Sequence, residues 1–204
     1  MYIPKNYQTT DRAEIVAFMQ RHSFATIITA KEQMPIATHL PFVVTEHDDD
    51  TVRLVSHFAR ANPQWQQVAA HPVLVVFSEP HAYISPTHYD HEQSVPTWNY
   101  FAVHAYGHGR LITDAADTFQ VLETTINTYE ASYRQQWEQL PAEFKTKMAK
   151  GIVAFEITVT ELQAQKKMSQ NKSAAEQQRI IHTLAASEYG AARDLAHYMQ
   201  QNQL

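Results

Sequence analysis

The sequence contains no cysteine. Disulfides, thiol nucleophiles, iron–sulfur clusters and thiolate zinc sites are excluded, leaving His, Asp and Glu as the strong metal ligands. Glycine is also scarce, with four residues at 107, 109, 151 and 190. They allow neither a Walker phosphate loop nor a dinucleotide fingerprint, and no Gly-x-Ser-x-Gly elbow or His-Glu-x-x-His helix occurs. The longest purely apolar runs, residues 73–77 and the equally long 15–19, are far too short to span a bilayer. Positive charge is in deficit: 16 Lys and Arg against 21 Asp and Glu give −5, the wrong sign for holding nucleic acid by bulk charge. The opening Met1-Tyr2-Ile3-Pro4-Lys5 has no basic segment followed by an apolar stretch, so no signal peptide is expected. The missing disulfides fit a reducing, cytoplasmic location.

Hydrophobic residues at 44% and charged residues at 18% place the chain among ordinary globular proteins, long enough to bury a core. Histidine is plentiful, at 12 of 204 positions, so the net charge becomes less negative below about pH 6.5.

Asp11 with Glu14 reads as the start of a helix whose Ile15, Phe18, Met19 and His22 form a stripe. Residues 24–29 and 36–44 read as a hairpin, 46–50 as a solvated turn, 51–57 as a third strand, and Asn62-Pro63 as the start of a helix to about Ala70. Residues 73–79 and 82–85 are extended, and 86–95 form a polar loop. Residues 97–113 make one long strand, or two bent at Gly107 and Gly109. Asp114 caps a helix to about Tyr133, and 141–150 form another closed by Gly151. A one-face-buried strand covers 153–159, a basic connector 166–172, and Ser173 with Glu176 opens a terminal helix to about residue 203. The strands cluster instead of alternating with helices, so the fold class is mainly β with peripheral helices (α+β), as an antiparallel barrel.

Several constellations carry chemistry. In Ser56-His57-Phe58-Ala59-Arg60-Ala61-Asn62-Pro63-Gln64-Trp65 a strand ends, a guanidinium follows and Asn-Pro starts a helix, which together suit a phosphate-sized anion. The same pattern arises where Asn-Pro merely starts a helix and Arg60 is solvated. Trp98, Tyr100, Ala102 and His104 share one strand face, either as a wall for a planar heterocycle or as a core-facing aromatic row. Ser85 is a candidate phosphate or ribityl donor, and Tyr83 a packing residue. Pro41 inside a strand-like run argues for an edge or bulge position. His88-Tyr89-Asp90-His91-Glu92 reads as a polar loop in preference to a metal site. Lys166-Lys167-Met168-Ser169-Gln170-Asn171-Lys172 is the one dense basic stretch, able to touch an anionic cofactor or DNA, with a solvated connector as the default.

These blocks, with Met1-Tyr2-Ile3-Pro4, Ala37-Thr38-His39-Leu40-Pro41, Ala82-Tyr83-Ile84-Ser85-Pro86 and Val95-Pro96-Thr97-Trp98-Asn99-Tyr100, resemble in order those of the PaiB-type FMN-binding negative transcriptional regulators. The resemblance covers essentially the whole chain. It departs from the usual wording at Ser56, where glycine is common, and at Met168, where leucine is common. It implies an antiparallel FMN-binding split β-barrel, a homodimer with flavin at the interface, and DNA as a partner on the family's name alone. Carried onto this chain, it implies Arg60 and Asn62 near the flavin phosphate, Thr38 and His39 near the isoalloxazine edge, and Trp98 and Tyr100 along the pocket wall. Lys167 and Gln170 would close the pocket, and His57 and Ser85 complete the cofactor-binding set. No catalytic residue or metal ligand is assigned. A flavin-dependent oxidoreductase, passing electrons from NAD(P)H to a small acceptor, is the alternative function, and haem binding or breakdown a third. Residues 1–172 would form the barrel domain, and 173–204 a helical extension on the barrel or the partner subunit. A basic stripe of Lys166, Lys167, Lys172 and Arg179 would serve any direct DNA contact.

Overall fold

The computed structural model describes residues 1–47 and 51–201. The elements run β1 (Gln8–Thr9), α1 (Arg12–Arg21), β2 (Phe24–Lys31), β3 (Met34–Pro41), β4 (Val43–Glu46), β5 (Val52–Ala59), α2 (Trp65–Val68), β6 (Pro72–Ile84), β7 (Thr97–Ile112), α3 (Ala115–Tyr129), α4 (Arg134–Gln139), α5 (Ala142–Lys150), β8 (Ile152–Lys167), α6 (Ala174–Ala185) and α7 (Gly190–Gln201). The strands form one sheet in the order β3-β2-β6-β7-β8-β5-β4, with β1 on β8, and every pairing with a defined register is antiparallel. The path is open at β3 and β4, so the sheet does not close, and β3 is an edge strand as Pro41 suggests.

The chain divides into two compact units. One comprises Val16–Phe77 and His104–Leu162. Its core is aromatic, with Phe58 on Phe155 at 4.9 Å and Phe42 beside both Phe77 and Phe155, all essentially inaccessible. Burying each such ring contributes about 2–3 kcal/mol. The other unit comprises Met1–Ile15, Ser78–Val103 and the chain from Gln163 onward. There Ile180, Leu195 and Tyr198 of α6 and α7 are buried, with Tyr198 edge-on to Phe101 of β7 at 5.7 Å.

Several boundaries differ from the sequence reading for identifiable reasons. Asp11 Oδ1 does cap α1 through the Glu14 amide, but the Glu14 carboxylate turns away to Thr9 and Lys166. The β2–β3 hairpin turns on Glu32 and Gln33, both at positive φ, so the strands run to Lys31 and from Met34. β7 continues through Gly107 and Gly109 without a break, because these glycines serve close approach. A Cβ at Gly107 would lie 2.3 Å from Thr158 O, and one at Gly109 2.2 Å from Val68 Cγ1. The helix from Asp114 ends at Tyr129, and α4 follows. β8 runs on to Lys167, through the first part of the stretch read as a connector. The terminal helix is two helices, separated at residues 186–189, and the expected end near residue 203 lies outside the described residues. So do positions 48–50 of the expected 46–50 turn. No helix among the described residues is long and apolar enough to cross a membrane.

Candidate functional site

In the first unit, β5 delivers the chain to a polar turn. Alternation buries Val52, Leu54, Ser56 and Phe58 and leaves His57 half-buried on the other face. Ser56 donates to Pro41 O at 2.7 Å, so this hydroxyl faces inward. Burial pushes the His57 imidazole below its ordinary 6.5, and the ring is neutral at pH 7. Arg60 then folds back: Nε donates to Lys150 O and Nη2 to Ile152 O, both at 2.7 Å, while its own amide donates to Gly151 O. Nη1 makes no hydrogen bond among the described residues and is the open donor of an exposed guanidinium.

The turn is organised from beneath by Gln64, which is 1% exposed. Its Nε2 reaches Ile27 O, Ile36 O and Thr29 Oγ1, and its Oε1 accepts from Thr38 Oγ1. Asn62 Nδ2 donates to Thr38 Oγ1 at 3.0 Å, and Asn62 Oδ1 accepts from the Gln64 amide. This Asx-type bond replaces the helix start expected at Asn62-Pro63, and α2 begins only at Trp65. Four residues sum few peptide dipoles, so positive potential here comes from Arg60 and the Asn62 amide, not from a helix end. His39 is exposed on β3, bonded through Nδ1 to Thr26 Oγ1 and stacked 6.3 Å from Phe24.

In the second unit, Trp98 and Tyr83 are each 52% exposed and meet edge-to-face at 6.1 Å, with His81 6.0 Å from Trp98. They line an apolar groove of about 480 Å³ with Leu184 and Tyr189. Trp98 and Tyr83 are therefore surface rings, and the core is filled from the opposite register of β7 by Asn99, Phe101 and Val103. Tyr100 is half-buried. Ser85 caps its own turn, accepting from the Thr87 amide at 3.2 Å. Gln170 also acts locally, between the Met168 amide and Lys166 O. Lys167 Nζ donates to Thr97 Oγ1 and lies 5.7 Å from the Tyr7 ring centroid. Of the four residues expected to build a basic stripe from both subunits, Lys166 pairs with Glu14 at 2.6 Å and Arg179 with Asp90.

The ten sequence candidates thus divide by unit: Thr38, His39, His57, Arg60 and Asn62 in the first, and Ser85, Trp98, Tyr100, Lys167 and Gln170 in the second. Residues 1–161 match the family described as "Putative FMN-binding domain". The chain is 39% identical to protease synthase and sporulation protein PAI 2 of Bacillus subtilis (strain 168), across 98% of this chain and 97% of that protein. It belongs to the FMN-binding domain family, PaiB type. Among solved structures, this FMN-binding domain resembles the flavocytochrome Anf3 of Azotobacter vinelandii, with TM-score 0.64 and 16% identity over 81% of this chain and 72% of that one. It also resembles the FAD and haem binding protein of Mycobacterium smegmatis, with TM-score 0.63 and 15% identity over 85% and 79%. At these identities the likeness is one of fold, the mainly antiparallel split barrel with peripheral helices.

The donor set of the first unit suits FMN chemically. A guanidinium and a carboxamide stand on a turn that carries no carboxylate between Ala59 and Trp65, and a hydroxyl and a neutral imidazole lie on the adjoining strands. Sequence reasoning missed Gln64, whose only signal is a polar residue between Pro63 and Trp65.

Proposed function

We propose that this FMN-binding domain works as a cytoplasmic homodimer that grips the FMN phosphate through Arg60 and Asn62, in service of negative transcriptional regulation. Thr38 and His39 would face the isoalloxazine edge, and His57 would hydrogen-bond the ribityl chain as a neutral imidazole. Trp98 and Tyr100 would line the pocket, with Ser85 and Gln170 shaping its loops, whereas Lys167, which the resemblance would have close it, would instead serve a separate cavity lined with Thr97 and Lys172. Residues 1–172 would be the flavin-holding domain and 173–204 the helical extension. When bound, the flavin supplies the redox chemistry itself, and the protein positions and screens it.

One observation carries the reading: the acid-free turn in which Gln64 fixes Thr38 and Asn62 while Arg60 keeps one guanidinium nitrogen open. Such preorganisation lowers the ordering cost of binding an anion. Direct DNA contact would have to do without Lys166 and Arg179, which are neutralised by carboxylates.

The test is the absorption spectrum and flavin retention of the purified chain on ultrafiltration. Arg60→Ala and Asn62→Ala are expected to retain FMN at least about tenfold less well, the loss of one charge-assisted bond. Retention equal to wild type in both variants would place the phosphate elsewhere. A monomeric mass in sedimentation, with FMN added, would remove the homodimer.

A further inference from the structure

The loop after β8 lines a second polar cavity, within the second unit, that flavin binding as proposed above does not use. Its volume is about 290 Å³, at the lower end of small-molecule sites. Lys167 and Lys172 are among its lining residues, together with Thr97, Ser94, Asn99 and Ser169.

The charges in this region do not balance locally. Glu14 is taken by Lys166, Asp90 by Arg179, and the two oxygens of Glu176 by the amides of Ser173 and Asp90. Lys172 lies close enough to Glu176 to favour the carboxylate's charged form, but the hydrogen-bonding capacity of Glu176 is directed at backbone. Among the described residues, neither Lys167 nor Lys172 pairs with a carboxylate. Lys167 rests on the Thr97 hydroxyl and the Tyr7 ring, and Lys172 lies 3.6 Å from the Tyr89 ring centroid. In a chain with more acids than bases, one cavity is thus lined by two ammonium groups that no carboxylate among the described residues pairs with, a lining that suits an anion.

The floor of the cavity is fixed. Asn99 is fully buried and Ser169 4% exposed, and the two bond each other at 2.9 Å. Ser169 is held at φ 58°, an uncommon conformation for a residue with a side chain, which turns the loop and carries Lys172 around. The donors are ammonium, hydroxyl and amide groups, with no arginine fork among the lining residues. The guanidinium fork suits carboxylate and phosphate alike, while the lysine ammonium binds phosphate as a point charge, and the hydroxyls beside it suit a hydroxylated ligand.

We propose that this cavity binds a small phosphomonoester carrying hydroxyl groups, with Lys167 and Lys172 on the phosphate. It would be a second anion site on the same chain, and its separateness rests on the reading that the FMN phosphate sits at Arg60. The experiment is calorimetric titration of the FMN-loaded full chain with ribose 5-phosphate, with ribose and inorganic phosphate as probes of the two halves of the ligand. Saturable binding of ribose 5-phosphate, competition by inorganic phosphate and no binding of ribose are expected. Lys172→Gln and Lys167→Gln should each weaken it about tenfold, Lys172→Arg should retain part of it, and Arg60→Ala, compared with wild type with both free of FMN, should leave it unchanged. Thermal unfolding checks that each variant folds.

Absence of saturable binding to wild type would overturn the proposal. So would loss of binding in Arg60→Ala with none in the lysine variants. If FMN blocks ribose 5-phosphate, and the lysine variants lose FMN while Arg60→Ala keeps it, the cavity is the flavin's own and both readings fall. If Arg60→Ala loses FMN yet binds ribose 5-phosphate normally, both stand. A DNA duplex displacing ribose 5-phosphate at equal phosphate concentration would make the lysines a polyanion surface instead, and would also overturn it.

Discussion

Arg60 and the pair Lys167 and Lys172 are cations in one acid-rich chain, held in opposite ways. Arg60 is tied to main-chain carbonyls of α5 and β8, so its position is part of how its unit folds. The lysines rest on a hydroxyl and two aromatic rings, and no main-chain carbonyl or carboxylate is bonded to their ammonium groups among the described residues. Where a cation is anchored by backbone, binding and stability are coupled, and a mutation reports on both at once. Where it stands on side chains, ligand binding can be removed with little effect on the fold.

The sharpest way to break this comparison is to push on the first turn from behind. An alanine Cβ at Gly109 would lie 2.2 Å from Val68 Cγ1 and 2.8 Å from Val68 O, at the end of α2 directly after the turn. Gly109→Ala is therefore expected to cost about 3 kcal/mol in urea denaturation, the upper range for overpacking, and to impair FMN retention. Ribose 5-phosphate binding by the surviving folded protein should be unaffected. Equal damage to both ligands would show that the two sites are not independent.

Gln64→Leu follows in size. It leaves Ile27 O, Ile36 O and the Thr38 and Thr29 hydroxyls short of a partner beneath the turn. A stability loss of about 2 kcal/mol is expected from these unsatisfied groups, with weaker flavin retention because Thr38 and Asn62 lose their anchor. Arg60→Ala should cost less, about 1 kcal/mol for two exposed hydrogen bonds to carbonyls, while losing most FMN affinity. A large stability loss in Arg60→Ala with retained flavin would reverse the roles assigned to Gln64 and Arg60.

How much of this was legible follows from whether a signal is local. The alternation of β7 and the caps at Asp114 and Ser173 are written in neighbouring residues, and the structure reproduces them. The Glu32-Gln33 turn is not, because positive φ is expected at Gly or Asn and here falls on two long polar residues. Gly107 and Gly109 read as a bend because their partners, Thr158 and Val68, are about fifty and forty residues away and cannot be inferred from strand chemistry. β8 was cut short for a related reason. Lys166 resembles loop sequence until Glu14 neutralises it, and β1 pairs beside it at Gln165. Gln64 carries no local sign of burial; only its four partners, from β2 and β3, reveal it as the hub. The resemblance brought the site residues to the page, and the structure supplied what holds them.

Proton linkage separates the units more gently. Burial lowers the affinity of both His57 and His104 for a proton, and His104 Nδ1 is buried with no hydrogen-bond partner among the described residues. In the unfolded chain each imidazole takes up its proton near pH 6.5, and in the fold only at lower pH. The unfolded state then binds more protons between these limits, so stability is full above about pH 6.5 and falls as the pH drops below it. The melting temperature should be flat from pH 8 to 7 and decline from 6.5 towards 5.5, with His104→Gln reducing the slope. Glu176, held below 4.5 by its backbone hydrogen bonds, contributes only at more acid pH. Both histidines belong to the first unit, so an unchanged slope in His57→Asn and His104→Gln together would move the acid-sensitive element elsewhere.

The smallest effect is the most diagnostic. Lys172→Gln removes a cation–π contact worth about 0.5–1 kcal/mol at a partly exposed site, together with the favourable field at Glu176. The net loss of stability should therefore stay at or below about 1 kcal/mol, close to that of an ordinary surface substitution. Added inorganic phosphate should raise the melting temperature of the FMN-loaded wild type by mass action, and raise it more than that of FMN-loaded Lys172→Gln. A variant that is as stable as its parent but insensitive to phosphate would separate binding from folding at this lysine, which Arg60 cannot do because its guanidinium also joins β5 to β8. If Lys172→Gln instead unfolds as readily as Gln64→Leu, the ammonium is a structural member of the loop, and the contrast between the two regions disappears.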